Sequence, residues 1–293
     1  MPTEERRSPA GAVGLALALA VAVALGVRGA AAPIGPVTLV ICAPGYPGST
    51  AEAQPAMDAL ATAAAAAAGW KPGDLRAVYF ETEKAGLARL AAPDAAVALV
   101  PLPFWLQHHD ALKLAAHLQA VEQGGEPAEA WTLVAPAGSV TAASSLAGFE
   151  LISSSAYAPR FVRGPALGAW GALPPDIRMT FSNAVLTALR RASSGNRVAV
   201  LLDRASAAAL PTLPFASKLQ VVTRSVPLPV SVLSVVGGRL PAARVRSLLD
   251  GLTSLGATPA GVDVLAGVRL ARFVVADQAA LARVRDLFDR TKE

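Results

Sequence analysis

Three sets of side chains in this sequence have the types and spacing to bind a ligand. The first is hydroxyl: Ser49 and Thr50 stand where a helix should begin, and Ser153, Ser154 and Ser155 do so again a hundred residues later. A helix N-terminus offers unpaired backbone N–H groups and the positive end of its dipole, so two such starts can hold an oxyanion without a cationic side chain. Plain N-capping is the competing reading for each. The second is Asp203, at the end of a strand-like run. It can cap the following helix, or accept from an amine or hydroxyl of a ligand. A carboxylate repels a bare oxyanion, so Asp203 favours a zwitterionic or hydroxylated ligand over phosphate alone. The third is aromatic: Tyr46, Phe104, Trp105, Tyr157 and Trp170 suit a core or the wall of a cleft. Tyr46 and Phe104 fall in segments that read as loops, where packing needs them less.

Other chemistry is thin. His108, His109 and His117 cluster around Asp110, but their spacing matches no metal motif, and no metal or other cofactor is expected. No G-x-S-x-G elbow occurs, and Gly45–Thr50 lacks the lysine of a phosphate loop. The single cysteine, Cys42, lies inside an apolar run, which excludes a disulfide framework and a thiolate zinc site. No enzyme activity is expected.

The elements that must position these residues alternate strand and helix. Val37–Cys42, Leu75–Phe80 and Ala95–Leu102 read as buried strands, separated by helices running to about Ala68 and Ala91. Glu52, three residues after Ser49, gives capping-box spacing. Further strands are expected over Trp131–Pro136, Phe149–Ile152, Ile177–Phe181, Arg197–Leu202, Leu219–Arg224 and Val230–Val236. A short helix is expected around Tyr157–Val162, and longer ones over Pro241–Ser254 and Gln278–Thr291. The alternation predicts an α/β fold on mainly parallel sheets. Two such units, the second inserted into the first, place a ligand in the cleft between them.

Composition agrees with a globular chain: 293 residues, 53% hydrophobic and 16% charged, with a net charge of +5. Disorder is excluded by the low charge and high apolar content. The small excess charge, with no Lys/Arg block, gives no support to nucleic-acid binding. Residues 1–32 read as an export signal. Arg6 and Arg7 precede the uncharged run Ala10–Val27, and small residues follow at Gly29–Ala32. The run is just long enough to serve instead as a membrane tether.

The order of VTLVICAPGYPGSTAEAQP, AAVALVPLPFWLQ, SLAGFELISSSAYAPRFV, VAVLLDRASAAAL and LQVVTRSVPLP resembles type II periplasmic solute-binding proteins of ABC transporters, nearest the phosphate/phosphonate-binding group. The likeness spans roughly Pro36 to Phe273. It implies two Rossmann-like lobes joined by a two-segment hinge: residues 33–128 and 224–293 in lobe 1, and 129–223 in lobe 2. It also implies a monomer in the periplasm that binds a small oxyanion between its lobes and delivers it to an inner-membrane permease. By this resemblance the ligand residues are Tyr46, Ser49, Thr50, Pro103, Phe104, Ser153, Ser154, Ser155, Tyr157 and Asp203. The Ser-Thr-x-Gly turn of that group departs here, with serine and alanine in the threonine and glycine places. The aromatic residues and low charge keep a second ligand class open, a sterol or other lipid on the same fold. A third reading is a sensor or scaffold module without a transport role.

Overall fold

A computed structural model describes residues 35–46 and 48–291; the expected export signal lies outside them. Strand β1 (Val37–Cys42) is buried along its whole length, as an apolar run flanked on both sides must be. Helix α1 (Thr50–Ala67) begins with the reciprocal cap foreseen from the spacing: the Ser49 hydroxyl accepts from the Glu52 N–H, and the Glu52 carboxylate accepts from the Ser49 N–H. Next come β2 (Leu75–Phe80), α2 (Glu83–Leu90), capped by Thr82, and β3 (Ala95–Pro101).

Helix α3 (Leu102–Leu112) follows at once, where a loop was expected. Pro101 and Pro103 suggest a loop, yet the first turn is where a helix tolerates proline, because its N–H would be unpaired there anyway. The alanine-rich β4 (Leu114–Glu122) was also missed; it is a strand because it sits between two others, so packing overrides propensity.

The chain continues through β5 (Ala128–Glu129), β6 (Thr132–Pro136), β7 (Glu150–Ser153) and α4 (Pro159–Phe161), which runs into one wide turn over Val162–Ala166. Then come β8 (Arg178–Phe181), α5 (Val185–Ser193), β9 (Val198–Leu202), α6 (Arg204–Ala209), β10 (Leu219–Arg224), β11 (Leu228–Pro229) and β12 (Ser231–Val236). It ends with α7 (Ala242–Ser254), α8 (Pro259–Gly267), β13 (Leu270–Val275) and α9 (Gln278–Arg290).

These elements form two α/β lobes. One carries a six-stranded sheet in the order β13-β4-β12-β3-β1-β2, the other a five-stranded sheet in the order β10-β6-β9-β7-β8. The expectation of mainly parallel sheets needs correction. β1 is parallel to β2 and β3, and β7 to β8 and β9, but the remaining pairings in both sheets are antiparallel. The physical reason is visible where Ser231 pairs with Pro101. The chain returns to the first sheet at the end where β3 leaves it, so β12 must run the other way. Between the lobes β5 and β11 pair as a two-stranded antiparallel ribbon. The chain crosses a third time: α9 rests against α4 and the turn after it. There Arg160 donates to the carbonyls of Phe288 (3.0 Å) and Thr291 (3.1 Å) and lies 4.3 Å over the Phe288 ring.

Helix α7 packs on the C-terminal end of α1 through Gly251. A Cβ there would stand 2.7 Å from the Ala68 nitrogen and 2.9 Å from the Ala67 carbonyl carbon. Both obstacles are backbone, so they cannot swing aside. Gly251→Ala is expected to lower stability by about 1–3 kcal/mol, seen as an earlier urea midpoint at unchanged slope. An unshifted midpoint would show that the two helices have room to separate. No helix among the described residues is long and apolar enough to cross a membrane.

Candidate functional site

The strand ends of both lobes and the ribbon joining them face a common hollow. Pro44 and Tyr46 reach it from the loop after β1, Pro103 from the first turn of α3, and Ser154, Ser155 and Tyr157 from the turn after β7. Asp203 closes β9, Glu129 closes β5, and Trp131 stands just before β6. In the described conformation the hollow measures about 20 Å³, room for about one water molecule. The lobes must part before anything larger can be admitted.

Six of the ten residues expected at the site are brought together here: Tyr46, Pro103, Ser154, Ser155, Tyr157 and Asp203. The other four do not line the hollow. Ser49 is consumed by its capping box, with its hydroxyl 2.9 Å from the Glu52 carboxylate. Thr50 donates to Glu81 at 3.1 Å. Phe104 is fully buried in the core, edge-on to His108. Ser153 is buried as well: its hydroxyl donates to the Leu201 carbonyl at 2.9 Å and accepts from the Ser155 N–H at 3.1 Å.

The serine run is not a helix start. Residues 154–157 form a turn in which Ala156 N–H bonds Ser153 O and Ala158 N–H bonds Ser155 O. The helix waits until Pro159, whose fixed φ suits a first helical position. The helix start that does face the hollow is that of α3. It has no side-chain cap, so the backbone N–H of Phe104 is left for another partner.

That N–H faces the hydroxyl of Tyr157, which is buried and has no hydrogen-bond partner. Burial first, then the negative charges of Cys42 and Glu83 in their ionised forms, push the Tyr157 phenol well above its ordinary pKa, against the Phe104 N–H. Tyr157 therefore remains a neutral hydroxyl with a proton to donate. A buried, unpaired hydroxyl costs about 1–3 kcal/mol, and Tyr157 is one of the residues that line the hollow. The Tyr157 ring is fixed edge-on against Phe181.

The opposite wall is acidic. Glu129 is buried, and desolvation raises its carboxyl to about 7; the charges of Asp203 and Glu122 add to the rise, while the Arg204 N–H and guanidinium oppose it. That N–H, the first of α6, donates to the Glu129 carboxylate at 3.0 Å, so the ribbon is tied to the second lobe at this point. Asp203 accepts from the Ser206 N–H at 2.7 Å as N-cap of α6, and its second oxygen has lone pairs to spare. Tyr46 bonds Glu122 at 2.9 Å; desolvation and the charges of Glu122, Glu129 and Asp203 hold its phenol protonated.

Glu129 was missed from sequence because Glu122-Gln123-Gly124-Gly125-Glu126-Pro127 before it reads as a polar loop, in which one more acid gives no sign of burial. The histidines do not converge. His108 lies 2.7 Å from Glu83, His109 stacks on Trp105 with centroids 4.4 Å apart, and His117 is on β4. Among the described residues no cluster has the make-up of a metal site.

No family model matches the chain, and no curated protein is similar to it in sequence. Solved structures do share its fold. The XAC2383 protein of Xanthomonas citri, solved with chloride, is 13% identical with a TM-score of 0.68, over 86% of this chain and 98% of the other. The binding-protein component of an ABC phosphonate transporter from Pseudomonas aeruginosa is 16% identical with a TM-score of 0.61, over 86% and 85%. PhnD1 of Prochlorococcus marinus in complex with methylphosphonate is 12% identical with a TM-score of 0.60, over 87% and 98%. What these likenesses establish is the architecture: a two-lobed α/β fold of the type II periplasmic binding protein kind.

Proposed function

We propose that this chain is an exported solute-binding protein of an ABC-type transporter, capturing a small ligand between its lobes and presenting it to a membrane permease. In this reading, residues 33–128 and 224–293 form one lobe and 129–223 the other, with the β5–β11 ribbon as hinge. The ligand carries an oxyanion at one end and a hydrogen-bond donor, amine or hydroxyl, at the other. The observation that carries this is the buried Tyr157 hydroxyl, whose proton finds no acceptor, with the Phe104 N–H facing it, set opposite two carboxylates. Two donors on one wall and two acceptors on the other complement a zwitterion.

Several features support the reading. The walls come from both lobes, so closure both binds the ligand and removes it from water. A bare anion meets two carboxylates and gains only part of the wall. Two proteins of the same fold bear names tied to phosphonate, which makes a phosphonate the natural oxyanion to try first.

The test is calorimetric titration of the purified chain with 2-aminoethylphosphonate, methylphosphonate and inorganic phosphate. The aminophosphonate should bind tightest, and it should raise the melting temperature by preferring the native state. Absence of heat with all three at millimolar concentration would refute an oxyanion ligand; tighter binding of phosphate than of the aminophosphonate would refute the acidic wall's role.

A further inference from the structure

A second hollow, of about 330 Å³ and partly open to solvent, is lined by residues of the first lobe alone. Tyr46 and Pro101 line both hollows and so form the wall between them. The first half of α1 covers this compartment with Ala53 and Ala56, and Ile41, Leu99 and Ala120 of the sheet form its floor. Its origin is in the sequence. Helix α1 is mostly alanine, and at these two positions a methyl group stands where a leucine would fill the space. Protein interiors leave few voids larger than a water molecule, whereas sites for small molecules begin at about 300 Å³. The size and apolar lining belong to the second class.

Three charged residues stand at its rim: Glu52, Glu122 and Arg269. The two carboxylates are engaged, Glu52 by the N–H and hydroxyl of Ser49, and Glu122 by the Tyr46 hydroxyl and by Arg204 at 3.6 Å. Arg269 shows no comparable partner among the described residues. Its backbone is in the left-handed region, with φ at 60°, at the place after a helix where glycine is the usual occupant. An arginine kept there is held at a conformational cost.

We propose that this compartment binds a small amphiphile, with its apolar body against the alanine face of α1 and an anionic head on Arg269. It is a site separate from the cleft, and it stands whether or not the cleft takes an aminophosphonate.

Decanoate serves as the probe, titrated calorimetrically into the full chain beside decan-1-ol. Decanoate should bind at one per chain. Ala56→Leu and Ala53→Leu, each tested alone, fill the space and should weaken it about tenfold or more, without changing the response to 2-aminoethylphosphonate. Arg269→Gly should weaken decanoate about fivefold, the upper range for an exposed ion pair. It should leave decan-1-ol unchanged and raise the melting temperature by relieving the left-handed arginine. No decanoate binding to the native chain would overturn the proposal. So would full binding by a leucine variant that melts cooperatively, or equal loss of acid and alcohol in Arg269→Gly.

Discussion

Tyr157→Phe is expected to weaken 2-aminoethylphosphonate binding by about tenfold to a hundredfold, the worth of a hydrogen bond to a charged group, while leaving the protein as stable as before or more so. The two halves of this result have one cause. The Tyr157 hydroxyl is buried and only the Phe104 N–H faces it, so deleting it breaks no strong bond in the unliganded protein and removes a polar atom from an apolar setting. Only a bound anion gains from it. Most substitutions of buried tyrosines lose stability together with function; here the two should move apart. Thermal melts with and without ligand, run beside calorimetry, give both numbers. A variant that loses stability but keeps its affinity would show that the hydroxyl serves the fold.

Glu129 should make the protein lose stability as the pH rises through the weakly acidic range. Its carboxyl is raised from the ordinary 4.5 to about 7 in the folded chain, so between those values the unfolded chain gives up a proton that the native chain keeps. The native state is then favoured in full below about 4.5 and loses that advantage until the pH reaches about 7, by roughly 3 kcal/mol for a shift of this size. On the acid side the sign reverses for Asp94 and Glu150. The Arg89 bond holds Asp94 at about 2; Thr180, Arg191 and Arg178, against desolvation, hold Glu150 at about 2. The support from these two groups is lost as the pH falls from their unfolded values towards 2. Glu129→Gln keeps an acceptor for the Arg204 N–H and removes the ionisation, so its urea-derived stability should be flat between pH 5 and 8 and exceed the parent's at pH 8. Retention of the parent's slope in that variant would place the titration elsewhere. Because Glu129 sits in the joining ribbon and faces the hollow, the same ionisation should weaken capture of methylphosphonate, which has no amine, as the pH passes 7, and should not weaken capture of 2-aminoethylphosphonate.

Much of the fold was legible because buried strands and capped helices leave local marks. VTLVIC and the Ser49–Glu52 box needed no tertiary information to interpret. What failed was local evidence pointing the wrong way. The prolines at the start of α3 imitate a loop, and β4 has a helix former's composition but is held as a strand by β12 and β13. The direction of β12 depends on where the chain re-enters the sheet, a fact of topology and not of its own residues. Six of the expected residues line one hollow because loops at strand ends converge in such a fold. The serine at 153 was misplaced because a hydroxyl pointing inward to Leu201 and one pointing into a cleft have the same sequence signature. Glu129 and the Phe104 N–H escaped for opposite reasons: one is an acid whose burial is set by three separate segments, the other a backbone group that no side-chain pattern reveals.

A crystal structure grown with 2-aminoethylphosphonate tests the account most directly. The phosphonate should lie within hydrogen-bonding distance of the Tyr157 hydroxyl and the Phe104 N–H, with its amine turned to Asp203 and Glu129 and both lobes in contact with it. A ligand seated against one lobe alone, or a cleft closed on nothing at saturating ligand, would contradict it.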